Sequence, residues 1–429
     1  MTRSFVLRSA NVLDESGGFS GPLDVVVREG RITQVGRDAS AADLRSVDFA
    51  GLWLMPGVFD CHDHLTLHSW DAAALMQTPV SRWALHAAEA MRRTLECGVT
   101  FVRDAGGADA GLRDGVQMGL VPGPRMQVSV VALSETGGHF DGFWPGTGME
   151  SAADYCIPDY PGRPPFIVDG VQEMRRAVRR VLRAGADWIK LCTTGGVASP
   201  YDAYDEPQFT LEEVAVAVAE ARRRKRGVMT HAFGGEGLDN SITAGVASIE
   251  HGIFLTEEQA ARMAERGIWL VPTLAILRDS IRWGREGLLS DFATEKMAAI
   301  EPQLGDAVRI AREYGVKLAL GTDYVQRDQH GNNLEELHLM HQAGLSVEET
   351  LLAATVRGAE LCGVAADYGT IAPGKVLDAI VLDEDPGDLS LFTRRDAVTG
   401  VFKGGDPVVA HPRVAAALGP RPPLQLVRG

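Results

Sequence analysis

The run VFDCHDH ends in His62-Asp63-His64. Alternate side chains of an extended strand share a face, so these two imidazoles point to the same side and can share one cation. Three more groups of the same chemical kind end other short apolar runs: His231 in VMTHA, His251 in SIEHG and Asp323 in LALGTD. Imidazoles and carboxylates are seldom left in apolar surroundings without a partner, so their repeated placement at run ends points to one shared site. Nitrogen and oxygen ligands of this type suit zinc, and less exclusively manganese, cobalt or iron. Lys190 is the sharpest single feature. It lies inside DWIKLC, where an ammonium meets a large desolvation penalty unless it is paired or chemically altered. A lysine made neutral by burial can take up carbon dioxide as a carbamate, and that carboxylate can bridge two cations. The alternative is a lysine whose stem packs at the strand end with its amine in solvent.

These residues need elements that carry them to one face. After Met55-Pro56-Gly57 the chain alternates short apolar runs with Ala- and Arg-rich helical stretches, the rhythm of a parallel β/α architecture. Eight strands are predicted at 58–64, 99–105, 126–133, 187–192, 227–232, 247–252, 268–273 and 317–323. The fold class is α/β, a (β/α)8 TIM barrel spanning 57–366, in which active groups sit at the strand C-terminal ends. The N-terminal runs SFVLRSANVL and PLDVVVREGRITQVG, with a hairpin at Glu29-Gly30, and the C-terminal runs DAIVLDEDP and AVTGVFKGGDPVVA are β in character. Residues 1–56 and 367–429 are therefore expected to form a small discontinuous β-sandwich domain. Two stretches break the rhythm and are predicted as long loops at the catalytic face. Residues 134–170 carry Phe140, Phe143, Trp144, Tyr155 and Tyr160; residues 274–300 carry Arg278, Arg282, Trp283 and Arg285. Such loops select substrate, cover the surface or form an oligomer contact.

Composition narrows the classes of function. The 429 residues are 45% hydrophobic and 23% charged, as in a globular chain, with a formal net charge of -15. That balance disfavours nucleic acid and anionic membranes as partners, both of which need clustered positive charge. The basic run Arg222 to Arg226 reads as a solvated helix end, where cations oppose the negative end of the helix dipole. Five cysteines, Cys61, Cys97, Cys156, Cys192 and Cys362, show no Cys-x-x-Cys pairing, which argues against a disulfide framework and for a reduced cytoplasm. Neither a signal peptide nor a membrane span is expected. A small-molecule substrate and a homo-oligomer are.

The chain resembles the amidohydrolase superfamily over nearly its whole length. The resemblance rests on MPGVFDCHDH, WIKLCTTGG, THAFG, IEHG and GTD, with APGKVLDAIVLDEDP near the end. TTGGVAS after Lys190 and HGNNLEEL after Asp323 are similar to the branch of cytoplasmic Xaa-Pro dipeptidases and imidazolonepropionase-like hydrolases. The resemblance implies a binuclear site: His62, His64 and Asp323 on the more buried metal, His231 and His251 on the more exposed one, and N6-carboxylated Lys190 between them. Zn2+ is the expected ion. Two such cations lower the pKa of a bridging water and polarise a carbonyl, with Asp323 passing the proton to the leaving amine. Imidazolonepropionases themselves lack the strand 4 lysine, so Lys190 speaks against that activity. His139, in GGHFD, is similar to the position from which this branch contacts the substrate carbonyl or carboxylate. Gly195 and Gly196 permit close backbone approach to a ligand. Arg103-Asp104 is expected as a buried ion pair behind the metals. His68, His86, His338 and His341 read as structural. Dipeptidases of this branch hold the substrate α-carboxylate with a tyrosine after strand 7; here that stretch is VPTLAILRDSIRW, so Arg278 or Arg282 takes the carboxylate or the substrate has none there.

The expected reaction is hydrolysis of a C–N amide bond in a dipeptide, N-acyl amino acid or lactam. Phosphotriester, lactone or carbamate hydrolysis makes the same demands on a metal-activated water. A non-catalytic metal-binding barrel is the third reading, since fold alone does not fix function.

Overall fold

A computed structural model describes residues 4–69, 72–143, 146 and 160–419. At the N-terminus, Phe5–Leu13 pairs antiparallel with Phe19–Arg28, which turns back into Arg31–Gly36. Glu29 (φ 51°) and Gly30 (φ 80°) make the turn. Positive φ at both central residues is the two-residue hairpin geometry that matches strand twist. Strands Ala379–Leu382, Val398–Lys403 and Asp406–Val409 join through Trp53–Pro56, and with Arg45–Asp48 beside Phe5–Leu13 they complete one eight-stranded sheet. Three inter-strand steps separate Val398–Lys403 from Phe5–Leu13, about 14 Å on a flat sheet. Yet the Phe5 and Phe402 rings stack at 5.7 Å. The sheet therefore curls over, closing its inner face on Leu7, Val25, Val27, Leu54 and Val381 in a β-rich unit separate from the barrel.

Parallel strands form the barrel wall in two arcs. Val58–Asp63, Val99–Asp104 and Arg125–Val128 make one; Ala132–Leu133, Trp188–Cys192, Gly227–Ala232, Ser248–His251 and Trp269–Val271 make the other. The predicted strand 126–133 belongs to both, broken where Val130 takes φ 68°. At the opposite seam the predicted strand 317–323 is not a regular strand, a correction with a local cause. Its segment still bridges the arcs: Ala319 N donates to Leu270 O (3.1 Å) on one side and Cys61 N to Leu320 O (2.8 Å) on the other. But Leu320 N donates outward to Ala353 O, Gly321 lies so close to Val271 and His62 that any Cβ would collide, and Asp323 adopts φ 55°. The ring closes without an eighth regular strand, as a TIM-type barrel.

The stretch 274–300 is helical, Leu274–Arg285 and Asp291–Ile300, where the sequence reading expected a loop. The donors at the first helix start are satisfied from a distance: Leu274 N and Ala275 N donate to the Glu336 carboxylate at 2.9 and 2.7 Å. Thr273 stands at the N-cap but makes no side-chain cap bond, its hydroxyl lying against His251 Nδ1 instead. Of 134–170, the described parts contain an isolated bridge, Ser134 to Ile167, and no helix. Trp144, Tyr155 and Cys156 lie outside the described residues. Among those residues no helix is long and apolar enough to cross a membrane.

Candidate functional site

Four histidines and one aspartate converge at the barrel mouth, and each imidazole has one nitrogen anchored from behind. His62 Nδ1 lies 2.8 Å from Glu250 Oε2 and His64 Nδ1 2.8 Å from Gly106 O. His251 Nδ1 meets Thr273 Oγ1 at 2.7 Å; His231 Nε2 meets Gly195 O at 3.1 Å. This fixing of one ring nitrogen is the arrangement that orients ligating histidines. Both Nε2 atoms of the first strand face Asp323 Oδ1, at 3.3 Å for His62 and 3.1 Å for His64. Ligand atoms of His62, His251 and Asp323 all lie within 4.8 Å of one another, and His231 packs on His251 with ring centroids 4.5 Å apart. The donor set therefore fits a metal centre. Backbone strain clusters here too: His251 (φ 72°), Thr273 (φ 52°) and Asp323 (φ 55°) are left-handed non-glycine residues. Each such residue costs about 1–3 kcal/mol and persists where surrounding structure enforces it.

Electrostatics suit the same use. Lys190 is 2% exposed on Trp188–Cys192, with Nζ 3.5 Å from His62 Nε2. Burial holds its amine below the ordinary lysine value. Burial likewise pulls His231 and His251 well below the usual imidazole range, so both offer neutral rings. Asp323 is pushed up by burial, but His62 and His64 outweigh that and keep it well below the ordinary carboxylate value.

Behind the first strand sits a fully buried ion pair that differs from the expected one. Arg103 donates to Glu250 Oε1 at 2.9 Å and Oε2 at 3.1 Å, to Ser248 Oγ at 2.9 Å and to Cys61 O at 2.6 Å. Asp104 cannot be its partner, because consecutive strand residues face opposite sides. Its carboxylate instead accepts from the backbone N–H groups of Leu65, Gly106 and Ala108. Burial would raise Glu250, yet Arg103 and then His62 hold it well below the usual range, an anion aligned on His62. Sequence reasoning missed Glu250 although it stands next to His251; a carboxylate inside an apolar strand was the available signal. It also missed a second web. Asp60 accepts from Thr322 Oγ1 (2.6 Å) and Asn333 Nδ2 (2.9 Å), and His330 Nε2 lies 3.0 Å from Asp63 Oδ1. Thus the HGNN run braces the backbone that carries His62 and Asp323.

The remaining sequence candidates divide. His139 stacks on His231 with ring centroids 4.2 Å apart, and its Nδ1 lies 3.0 Å from Ser199 Oγ. Burial lowers it to about 4. Gly195 supplies the carbonyl that holds His231, and a Cβ on Gly196 would fall 2.1 Å from the His139 ring, so here the close approach is to a side chain. Arg278 and Arg282 do not reach the site. Ile276, Leu277 and Ser280 of Leu274–Arg285 line the cavity. At about 3.6 residues per turn the arginines fall on the opposite face. Arg278 pairs with Asp279 and Glu335, while Arg282 is 58% exposed beside Asp279. His68 and His86, read as structural from sequence, stack on each other with ring centroids 4.3 Å apart. Above the metal-competent residues opens a cavity with walls of Leu67, Phe140, Val197, Phe233, Leu277 and Met297.

The Amidohydrolase family model matches residues 53–408. Ochratoxinase of Aspergillus niger is 34% identical over 363 residues, 82% of this chain and 75% of that protein. Its crystal structure superposes with a TM-score of 0.83 at 30% identity, covering 94% of this chain and 95% of that one. A prolidase complexed with N-methylphosphonate-L-proline superposes with a TM-score of 0.87 at 32% identity over 94% of this chain and 99% of the other. The match takes in every barrel strand that carries a metal-competent side chain, and this chain belongs to the amidohydrolase family.

Proposed function

We propose that the chain hydrolyses a C–N amide bond in a small molecule, using two divalent metal ions, Zn2+ in the first instance. His62, His64 and Asp323 would hold one ion and His231 and His251 the other, and Lys190, as the N6-carboxylate, would add its oxygens to the ligand set. The single observation behind this reading is the set of four imidazoles, each tied by one nitrogen, gathered around Asp323 and a buried lysine. Bound there, such ions supply Lewis acidity to a carbonyl oxygen and lower the pKa of water.

The chain's own residues do the rest. Asp323, kept anionic by His62 and His64, accepts the proton of the attacking water and returns it to the leaving amine. Glu250 and Arg103 keep the His62 ring in register. Lys190, deprotonated more readily than an exposed lysine, is able to take up carbon dioxide. His139 contacts the substrate, and the apolar wall of Phe140, Phe233, Leu277 and Met297 receives an apolar or aromatic portion. An ochratoxinase and a prolidase among the relatives support amide cleavage. A panel of dipeptides, N-acyl amino acids and lactams tests the reading. Wild-type protein should cleave members that Lys190→Ala and Asp323→Asn leave intact; full hydrolysis by either variant would sink the mechanism.

A further inference from the structure

The loop after Trp188–Cys192 runs irregularly through residues 195–203, yet three of its carbonyls aim at one point. That point is the ammonium of Lys296, from the helix Asp291–Ile300. Lys296 Nζ donates to Gly196 O (2.9 Å), Ser199 O (2.7 Å) and Asp202 O, and lies 3.0 Å from Asp202 Oδ1. A compact ammonium with rotatable donors suits such a cage, whereas the planar fork of an arginine does not. The side chain of Asp202 is 1% exposed, a buried carboxylate that needs this countercharge.

Asp202 leads directly to the site. Ser199 Oγ donates to Asp202 Oδ1, and Gly196 N and Gln208 Nε2 donate to Oδ2 at 3.1 and 3.2 Å. An ionised carboxylate only accepts, so the Ser199 proton is committed to it. The Ser199 oxygen is then left to accept from His139 Nδ1, 3.0 Å away. His139 N donates to Gln208 Oε1 at 3.1 Å, so backbone and ring are held from the same side. The chain Lys296, Asp202, Ser199, His139 thus fixes the ring by a proton on Nδ1, given to Ser199.

We infer that Lys296 is a positioning residue: through Asp202 and Ser199 it fixes the His139 ring by its Nδ1–H and so presents Nε2 to the substrate. This rests on the reading of His139 as a substrate contact.

The test combines a spectrum with a mutant cycle. In metal-loaded protein labelled with ¹⁵N-histidine, the wild-type His139 ring should show the Nδ1–H tautomer. Lys296→Met should lose that signature, and so should Ser199→Ala, a milder break in the same chain that guards against misfolding. In kinetics, Lys296→Met should lower kcat by about tenfold to a hundredfold, the usual scale for groups that orient a site from outside it. The double variant with His139→Ala should be no slower than His139→Ala alone. Retention of the tautomer in both single variants, or effects that multiply in the double variant, would overturn the inference. Wild-type kcat in His139→Ala would overturn the substrate-contact reading as well, and that single variant separates the two failures.

Discussion

The two sides of the barrel mouth are held by different means. On the first-strand side, His62 and Asp323 rest on fully buried charges and amides: Glu250 with Arg103 beneath His62, and Asp60 with Thr322 and Asn333 beneath the shared backbone. On the fourth-strand side, His231 leans on a backbone carbonyl, Gly195 O, and His139 on a loop clamped from outside by Lys296. Deep charge pairs fix geometry at a cost in desolvation and fail badly when one partner is lost. Carbonyls of an irregular loop fix it more cheaply and can shift with the helices that clamp them. On the proposed function, water activation belongs to the first side and substrate contact to the second.

The largest expected effect strikes the first side. Asp323→Asn keeps the shape but removes the proposed proton acceptor, so kcat should fall by about 10²–10⁴-fold, read by steady-state kinetics on metal-loaded protein. Arg103→Met leaves Glu250 buried without its cation and should cost about 3–5 kcal/mol of stability, measured by denaturant unfolding. A loss well under 1 kcal/mol would show that the web is not what holds His62. On the second side, Gly196→Ala drives a methyl into the His139 ring. It should lower kcat by about tenfold, with little change in metal content, as expected when only an outer support shifts. The smallest effects belong to Arg278→Ala and Arg282→Ala. Because both side chains face away from the cavity, KM should change by less than about threefold, a shift within about 0.6 kcal/mol. A large rise in KM would restore them as carboxylate anchors and blur the contrast.

The metal-competent residues were legible in sequence because each ends an apolar run, and strand periodicity alone places such residues at one face. What stayed hidden depends on partners across space. Arg103 read as the mate of its neighbour Asp104, whereas Glu250 lies 147 positions away. The helix Leu274–Arg285 read as a loop because its first donors are satisfied by Glu336, 62 positions on. Segment 317–323 read as a strand because its composition is that of one, but Leu320 and Gly321 answer to a helix and to facing side chains. Lys296 carried no motif at all; three carbonyls of a distant loop give it meaning only when folded.

Metal stoichiometry tests the central claim most directly. Protein purified with bicarbonate and zinc, then freed of loose metal, should carry two ions per chain by elemental analysis, and Lys190→Ala should carry one or none and cleave no amide. A wild-type chain that binds a single ion and hydrolyses amides at full rate, with Lys190→Ala its equal, would contradict the binuclear account.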